Sequence, residues 1–219
     1  MPQESSPGNL GEITHNDCPF CQYTPLAQYV LQETSQFLLV ADHAPLVPGH
    51  LLIIPRHHYA CYGAVPASFD EELSSLKQTV RDFFTRFYAA PIFWEHGVFH
   101  QTVFHAHLHG FPFGEIEYPP TENRHTTVVT SQDDLRNWYA LYGHYFYLQD
   151  QRQAYLFPPD KDDYAYIVQA VLKPGVIARN SQYTWRSPQQ RQAEGIPSIQ
   201  TLITNWQRFS QTTSNQRSN

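Results

Sequence analysis

Three histidines stand at every second position in Gln101-Thr-Val-Phe-His105-Ala-His107-Leu-His109-Gly-Phe-Pro. Successive side chains of a strand point to opposite faces, so an extended backbone over Val103–Phe111 sets all three imidazoles on one face. Ala106 and Leu108 then face a core. A helix would scatter the same residues around its surface. Near neutral pH an imidazole can serve as nucleophile, acid, base or ligand. Three on one face suit chemistry on a phosphate, where one ring attacks and its neighbours donate hydrogen bonds to the oxygens. Two other readings stand beside this one. A surface strand merely rich in histidine leaves three polar rings without a task. A His-x-His metal pair of a hydrolase barrel needs further ligands from later strands and about 250 residues of βα units, and too few such units surround this segment.

A second cluster is Cys18-Pro-Phe-Cys21. It resembles the CPxC site of glutaredoxins, but redox chemistry of that kind asks for a strand before the first cysteine, and none is evident. It equally suits half of a metal site, or two ordinary buried thiols. Cys61 has no evident role.

The elements that must hold these residues follow from periodicity. Phe37–Asp42 and His50–Pro55 read as buried strands joined by a turn through Pro45, Pro48 and Gly49. Ser68 and Glu71 suggest a capping box for a helix carrying Phe69, Leu73, Leu76, Val80, Phe83, Phe84 and Phe87 at helical spacing. Ile92–Glu95 is a third strand, and Val103–Phe111 a fourth that ends at Pro112. The run from Pro25 is ambiguous. Farther on, Thr126–Thr130 reads as a strand, and Ser131 caps a helix that runs to Tyr142 and stops at Gly143. His144–Leu148 with Ala154–Phe157 reads as a hairpin. Tyr164–Leu172 and Ile199–Phe209 read as helices.

The bulk numbers narrow the function classes. A net charge of -6 on 219 residues argues against a binder of nucleic acid polymers. No apolar run approaches a membrane span, and the polar start lacks a signal pattern. With an odd cysteine count, these features lead us to expect a cytoplasmic protein. The expected organisation is a flexible tail at 1–16, a first domain at 17–119, an extension at 120–210 packed on it, and a flexible tail at 211–219. The extension carries Trp138, Trp185 and Trp206, an aromatic payload suited to burial, and either those aromatics or Arg186 could reach a site.

The segment His105-Ala-His107-Leu-His109-Gly-Phe resembles the His-φ-His-φ-His-φ-φ motif (φ apolar) of the histidine-triad (HIT) superfamily. Gln101-Thr-Val precedes it as in many Hint-type members, and Asp42-His-Ala-Pro-Leu-Val-Pro-Gly-His50-Leu-Leu-Ile-Ile-Pro-Arg-His-His58 is similar to the family's strand–turn–strand. The resemblance covers residues 16–115. It implies an α+β, HIT-like fold: an antiparallel sheet of about five strands with helices against it, here with a C-terminal α+β elaboration. It implies a hydrolase in which His107 attacks the α-phosphorus of a small nucleotide conjugate, of phosphoramidate or dinucleotide type, giving a nucleotidyl-histidine that water hydrolyses. His105 and His50 would orient that ring, His109 and Thr102 would hold phosphate oxygens, and Gln101 would line the leaving-group side. Asp42 would accept from the ribose hydroxyls, although Asp also suits a turn. Glu95 joins the substrate contacts, with two departures beside it: Glu95-His96-Gly97 replaces an Asn–acid–Gly pattern, and His100 replaces a glycine. Transferase relatives place Gln at the third histidine, so His109 favours hydrolysis over nucleotidyl transfer; a non-catalytic nucleotide-binding protein is the remaining alternative. Some members, and galactose-1-phosphate uridylyltransferases, bind structural zinc through a CxxC and two histidines. Here those ligands would be Cys18, Cys21, His58 and His105, with His57 a competitor for the third place. Hint-type relatives are often homodimers, which adds that expectation.

Overall fold

The computed structural model describes residues 17–118, 126–179 and 186–217. The tail expected at 1–16 and Trp185 lie outside them. The ambiguous run at Pro25 resolves into a short helix α1 (Tyr23–Leu26), a 3-10 turn and strand β1 (Val30–Glu33). Strands β2 (Phe37–Ala41) and β3 (Leu51–Pro55) are buried at every position, as their unbroken apolar runs require. Helix α2 (Asp70–Phe87) buries Leu73, Leu76, Val80, Phe83 and Phe84, which are the residues whose spacing predicts it.

The start of α2 differs from expectation. Ala67–Phe69 forms a 3-10 turn, Phe69 takes the N-cap place, and no side chain caps the helix. Ser68 and Glu71 therefore form no capping box. Asp70, Glu71 and Glu72 in the first turn still suit the positive end of the helix dipole.

Strands β4 (Ile92–Glu95) and β5 (Leu108–Phe111) complete the first half, and β6 (Thr127–Val129), helix α3 (Gln132–Tyr142), β7 (Phe146–Gln149) and β8 (Ala154–Phe157) follow. Helix α3 starts on a capping box from Ser131 and Asp134 and ends on Gly143 in the left-handed conformation, as its sequence signals require. Helix α4 (Lys161–Ile167), a π-helical stretch at Val168–Leu172, α5 (Lys173–Arg179) and α6 (Pro188–Arg217) close the chain. Helix α6 extends well beyond the expected Ile199–Phe209 at both ends.

The strands of the described residues pair antiparallel, in one sheet of eight with the order β1-β2-β3-β5-β4-β7-β8-β6. The expected five strands are β1 to β5. The count rises because β7 pairs with the other edge of β4, Trp94 facing Leu148, so the later hairpin continues the same sheet and covers an edge that would otherwise stay open.

Side chains alternate across this sheet. Phe93 and Leu108 face a core shared with α2, whereas Trp94 and Phe111 face a second core with Phe113, Phe146 and Val176. Helix α6 packs on the first core: Trp206 meets Phe83 at 4.8 Å between ring centroids, and Phe209 meets it at 5.5 Å. At its other end α6 lies against the turn between β2 and β3. A Cβ on Gly195 would stand 2.6 Å from Pro45, and Arg191 Nε donates to the Ala44 carbonyl at 3.0 Å. No helix among the described residues is long and apolar enough to cross a membrane.

Candidate active site

The strand expected over Val103–Phe111 is only β5, so His109 alone of the three histidines lies in the sheet. Pairing starts where Leu108 meets Ile53 and His109 meets Trp94. Before that the chain bends: His105 N donates back to Val103 O at 2.8 Å, and Ala106 N donates to Tyr59 O at 2.6 Å. The bend turns His105 away from its two partners and toward the cysteines.

His105 is fully buried. Its Nε2 bonds the Pro55 carbonyl at 2.8 Å. A carbonyl only accepts, so the proton sits on Nε2 and the Nδ1 lone pair is exposed toward Cys18 Sγ at 3.4 Å and Cys21 Sγ at 3.5 Å. His58 Nδ1 lies 3.4 Å from Cys21 Sγ. One ligand atom from each of Cys18, Cys21, His58 and His105 falls within 4.8 Å of the others. Tetrahedral sulfur–metal and nitrogen–metal bonds of normal length put neighbouring donors about 3.6 Å apart, so the donor set fits a metal ion. His57, the adjacent competitor, is exposed and stands outside this group.

The same His105 residue holds His107 through its backbone. His107 Nδ1 bonds the His105 carbonyl at 2.7 Å, and Gln101 Nε2 donates to that oxygen at 2.8 Å. The bond places the His107 proton on Nδ1 and leaves the Nε2 lone pair free. Phe20, between the two cysteines, packs edge-on against both His105 and His107, at 5.9 and 5.3 Å. Burial holds the His107 imidazole below its ordinary range, opposed by the His105 carbonyl, so the ring is neutral at pH 7.

His50 partners His109 rather than His107. Leu46 N donates to His50 Nδ1 at 3.3 Å, and His50 Nε2 faces His109 Nδ1 at 3.0 Å. The lone pair on His50 Nδ1 leaves its proton on Nε2, which donates to His109; the proton of a neutral His109 is then on Nε2. Burial pushes His50 down to about 4, with Asp42 opposing and Arg191 assisting, and holds His109 well below the histidine range. Asp42 Oδ2 is 3.4 Å from His50 Nδ1, while its Oδ1 accepts from Ala44 N at 2.7 Å. Asp42 thus makes its turn and still stands beside the histidines. The rings of His107 and His109 are 4.9 Å apart.

Residues 26–115 match the family model of the HIT domain. That segment is similar to the HIT domain. The curated proteins hold no match to the chain. Among solved structures, the HIT family hydrolase from Clostridium thermocellum is 25% identical over 48% of this chain and 95% of its own, with a TM-score of 0.38. A Zn-bound histidine triad family protein from Mycobacterium smegmatis is 22% identical over 57% and 95%, with a TM-score of 0.39. A HIT family protein from Bacillus anthracis is 21% identical over 57% and 94%, with a TM-score of 0.42.

One expected contact is placed differently. Glu95 points to the opposite face of the sheet, where its carboxylate accepts from Tyr62 N and Tyr145 OH, both at 2.7 Å. Strand alternation decides this, and the residue on the histidine face is His96, 6.0 Å from His109 between ring centroids. Gln101 spends its amide internally, on Val98 N, Ala60 O and His105 O, so it braces the loop. Thr102 is exposed. Arg186, just before α6, pairs with Glu194 on that helix, and the arginine near His50 is Arg191.

The backbone explains the glycine that His100 displaces: His100 has φ 53°, in the left-handed region, and Val98 has φ 82°. Histidine tolerates such an angle better than most residues, whereas β-branched Val98 adopts it rarely, so this loop stores strain at Val98 beside the histidines. Sequence reasoning missed Phe20, His96 and Tyr164, which lies 5.0 Å from the His100 ring. In the sequence His96 stands out only as a departure from the family pattern. Nothing local in the sequence marks the other two.

A cleft of about 380 Å3 adjoins the site, lined by Phe20, Leu26, Val40, Ala41, His43 and Val103 among others. It runs from the Cys18–Cys21 loop past β2, and its lining brackets Asp42 on both sides.

Proposed function

We propose that the HIT domain hydrolyses a small nucleotide conjugate at its α-phosphate, through a nucleotidyl intermediate on His107. The observation that carries this reading is the 2.7 Å bond from His107 Nδ1 to the His105 carbonyl, which frees Nε2 as a nucleophile. Its lone pair attacks the α-phosphorus, and the bond from phosphorus to the leaving group breaks with its electron pair. The leaving group takes a proton and departs. Water then attacks the same phosphorus, the P–N bond to His107 breaks, a proton is lost to solvent, and a nucleoside monophosphate leaves. His109 donates from Nε2 to a phosphate oxygen. That donor costs no reorganisation during reaction, since His50 has already set its tautomer. The base occupies the apolar cleft between Phe20 and Val40, and Asp42 at its edge accepts from the ribose hydroxyls.

The sulfur and nitrogen donors of Cys18, Cys21, His58 and His105 would hold a zinc ion, which when bound closes a structural tetrahedral site. Residues 17–119 form the catalytic unit of this proposal, and residues 120–210 an extension that braces it through α6.

His107→Ala should reduce turnover of a nucleoside phosphoramidate on the order of 10³-fold or more, as losses of nucleophiles usually do. Intact mass of the wild-type protein, quenched during turnover, should show an added nucleotidyl group that the variant lacks. Near-wild-type turnover in the variant would refute the assignment. For the metal, elemental analysis of protein purified without added zinc should find close to one equivalent. Less than about a tenth of an equivalent would contradict the site, because structural zinc resists removal.

A further inference from the structure

On the face of the sheet away from the histidines, a second cleft of about 350 Å3 opens between α2, β7 and the start of α3. Ser74, Lys77, Arg81, Ser131, Gln132 and Tyr147 are among its lining. Lys77 and Arg81 are one helical turn apart and converge on a single ring. Lys77 Nζ stands 5.1 Å from the Phe93 centroid and Arg81 Cζ 5.2 Å from it. Lys77 also donates to Tyr147 OH at 3.0 Å. Like charges in this relation repel, and one aromatic face does not neutralise two cations.

Glu95 eases the charge of Lys77 and Asp82 that of Arg81, but neither carboxylate makes an ion pair with them. Among the described residues the ion pairs involve neither Lys77 nor Arg81. Asp70, the acid in the cleft wall, is taken in bidentate fashion by Arg136 at 2.9 and 2.6 Å. Glu95 is held by Tyr62 and Tyr145. The cost of this arrangement is visible in the ammonium itself, which burial and then Arg81 push down to about 7 against the opposing pull of Glu95. An anion between the two side chains would remove that cost, and Ser74 and Ser131 add hydroxyls to the same wall.

We infer that this cleft is a binding site for a phosphate dianion or the phosphoryl end of a nucleoside monophosphate, bridged between Lys77 and Arg81. The site is separate from the histidine face and does not depend on the proposed reaction. Its ligand chemistry matches what a phosphate-ester hydrolase releases.

The test is a 15N–1H NMR titration of the full chain with inorganic phosphate and, separately, with adenosine monophosphate, both at constant ionic strength. The amides of Ser74–Arg81 and Thr130–Gln132 should shift and saturate. Arg81→Gln should weaken that response about tenfold or more, the usual scale for losing a charge-assisted bond, and leave turnover and the His105–His109 amides unchanged. Lys77→Met, which keeps the stem over Phe93, should do the same if the first variant folds poorly. Saturation by phosphate identifies a free-phosphate site, and saturation by the nucleotide alone identifies a phosphoryl-ester site. Shifts that never saturate with either probe, or that survive both substitutions, overturn the inference.

Discussion

The carbonyl oxygen of His105 is where the chemistry of individual residues meets. It accepts from His107 Nδ1 and from Gln101 Nε2, and its own side chain belongs to the cysteine cluster. Gln101→Met keeps the volume but removes the bonds to Val98, Ala60 and His105. The expected cost is about 1–3 kcal/mol in unfolding free energy, read by urea titration. Turnover should fall more than KM rises, since the ring is less well oriented while the nucleoside contacts survive. Unchanged kcat would show that this brace does not orient His107. Much of this scale is legible in the sequence, because the His-x-His-x-His spacing and the Cys-x-x-Cys pair name their own chemistry. Glu95 is different: its residue type fits a substrate contact, but one step of strand parity aims it at Tyr62 and Tyr145 instead.

At the level of elements, periodicity identifies α2 by its one buried face, and unbroken apolar runs identify β2, β3 and β4, which are buried on both faces. It fails where local bonds compete with the ladder. The bend at Val103–His105 interrupts an apparently perfect strand, because His105 must reach Pro55 and the cysteines at once. Helix α6 shows the reverse case. Periodicity reads only its middle, Ile199–Phe209, which buries Leu202 and Trp206; the polar turns on either side are hidden from that search, and the first of them touches the turn that carries His50. Trp206→Ala should cost about 3–5 kcal/mol, the range for truncating a large core aromatic, measured as a shifted denaturation midpoint. A loss under about 1 kcal/mol would mean that α6 is not a structural part of the first core.

For the molecule as a whole, buried titratable groups tie stability to pH. His50 and His96 are each pushed down to about 4 by burial, so protons enter the unfolded chain first. Their contribution is complete above the unfolded value of 6.5 and is lost as pH falls toward 4. Glu95 is pushed up to about 7 and acts in the opposite sense, favouring the folded state below 4.5 and losing that effect as pH rises to 7. Between pH 4.5 and 6.5 two imidazoles oppose one carboxyl, and His109 adds to the imidazole side. Stability should therefore fall on acidification by at least about 1.4 kcal/mol per pH unit. Glu95→Gln removes the opposing group and should steepen that slope. Urea unfolding at pH 5 and 6.5 checks both; a flat profile would contradict the burial assigned to these groups.

By itself the sequence determined the residue chemistry, the α+β class, and the family of the first half, since each is written in spacing that needs no partner. Tertiary structure alone decided what depends on pairing across the chain. It joined the later hairpin to β4, making one sheet of eight strands. It aimed His105 at two cysteines 87 and 84 positions away in sequence, and linked His50 to His109 across 59. It also brought Lys77 and Arg81 together over Phe93, behind the histidine face. The physical reason is common to all four. Side-chain periodicity reports which face is buried, whereas the identity of the neighbour across that face is set by strand order and register, which local spacing does not carry.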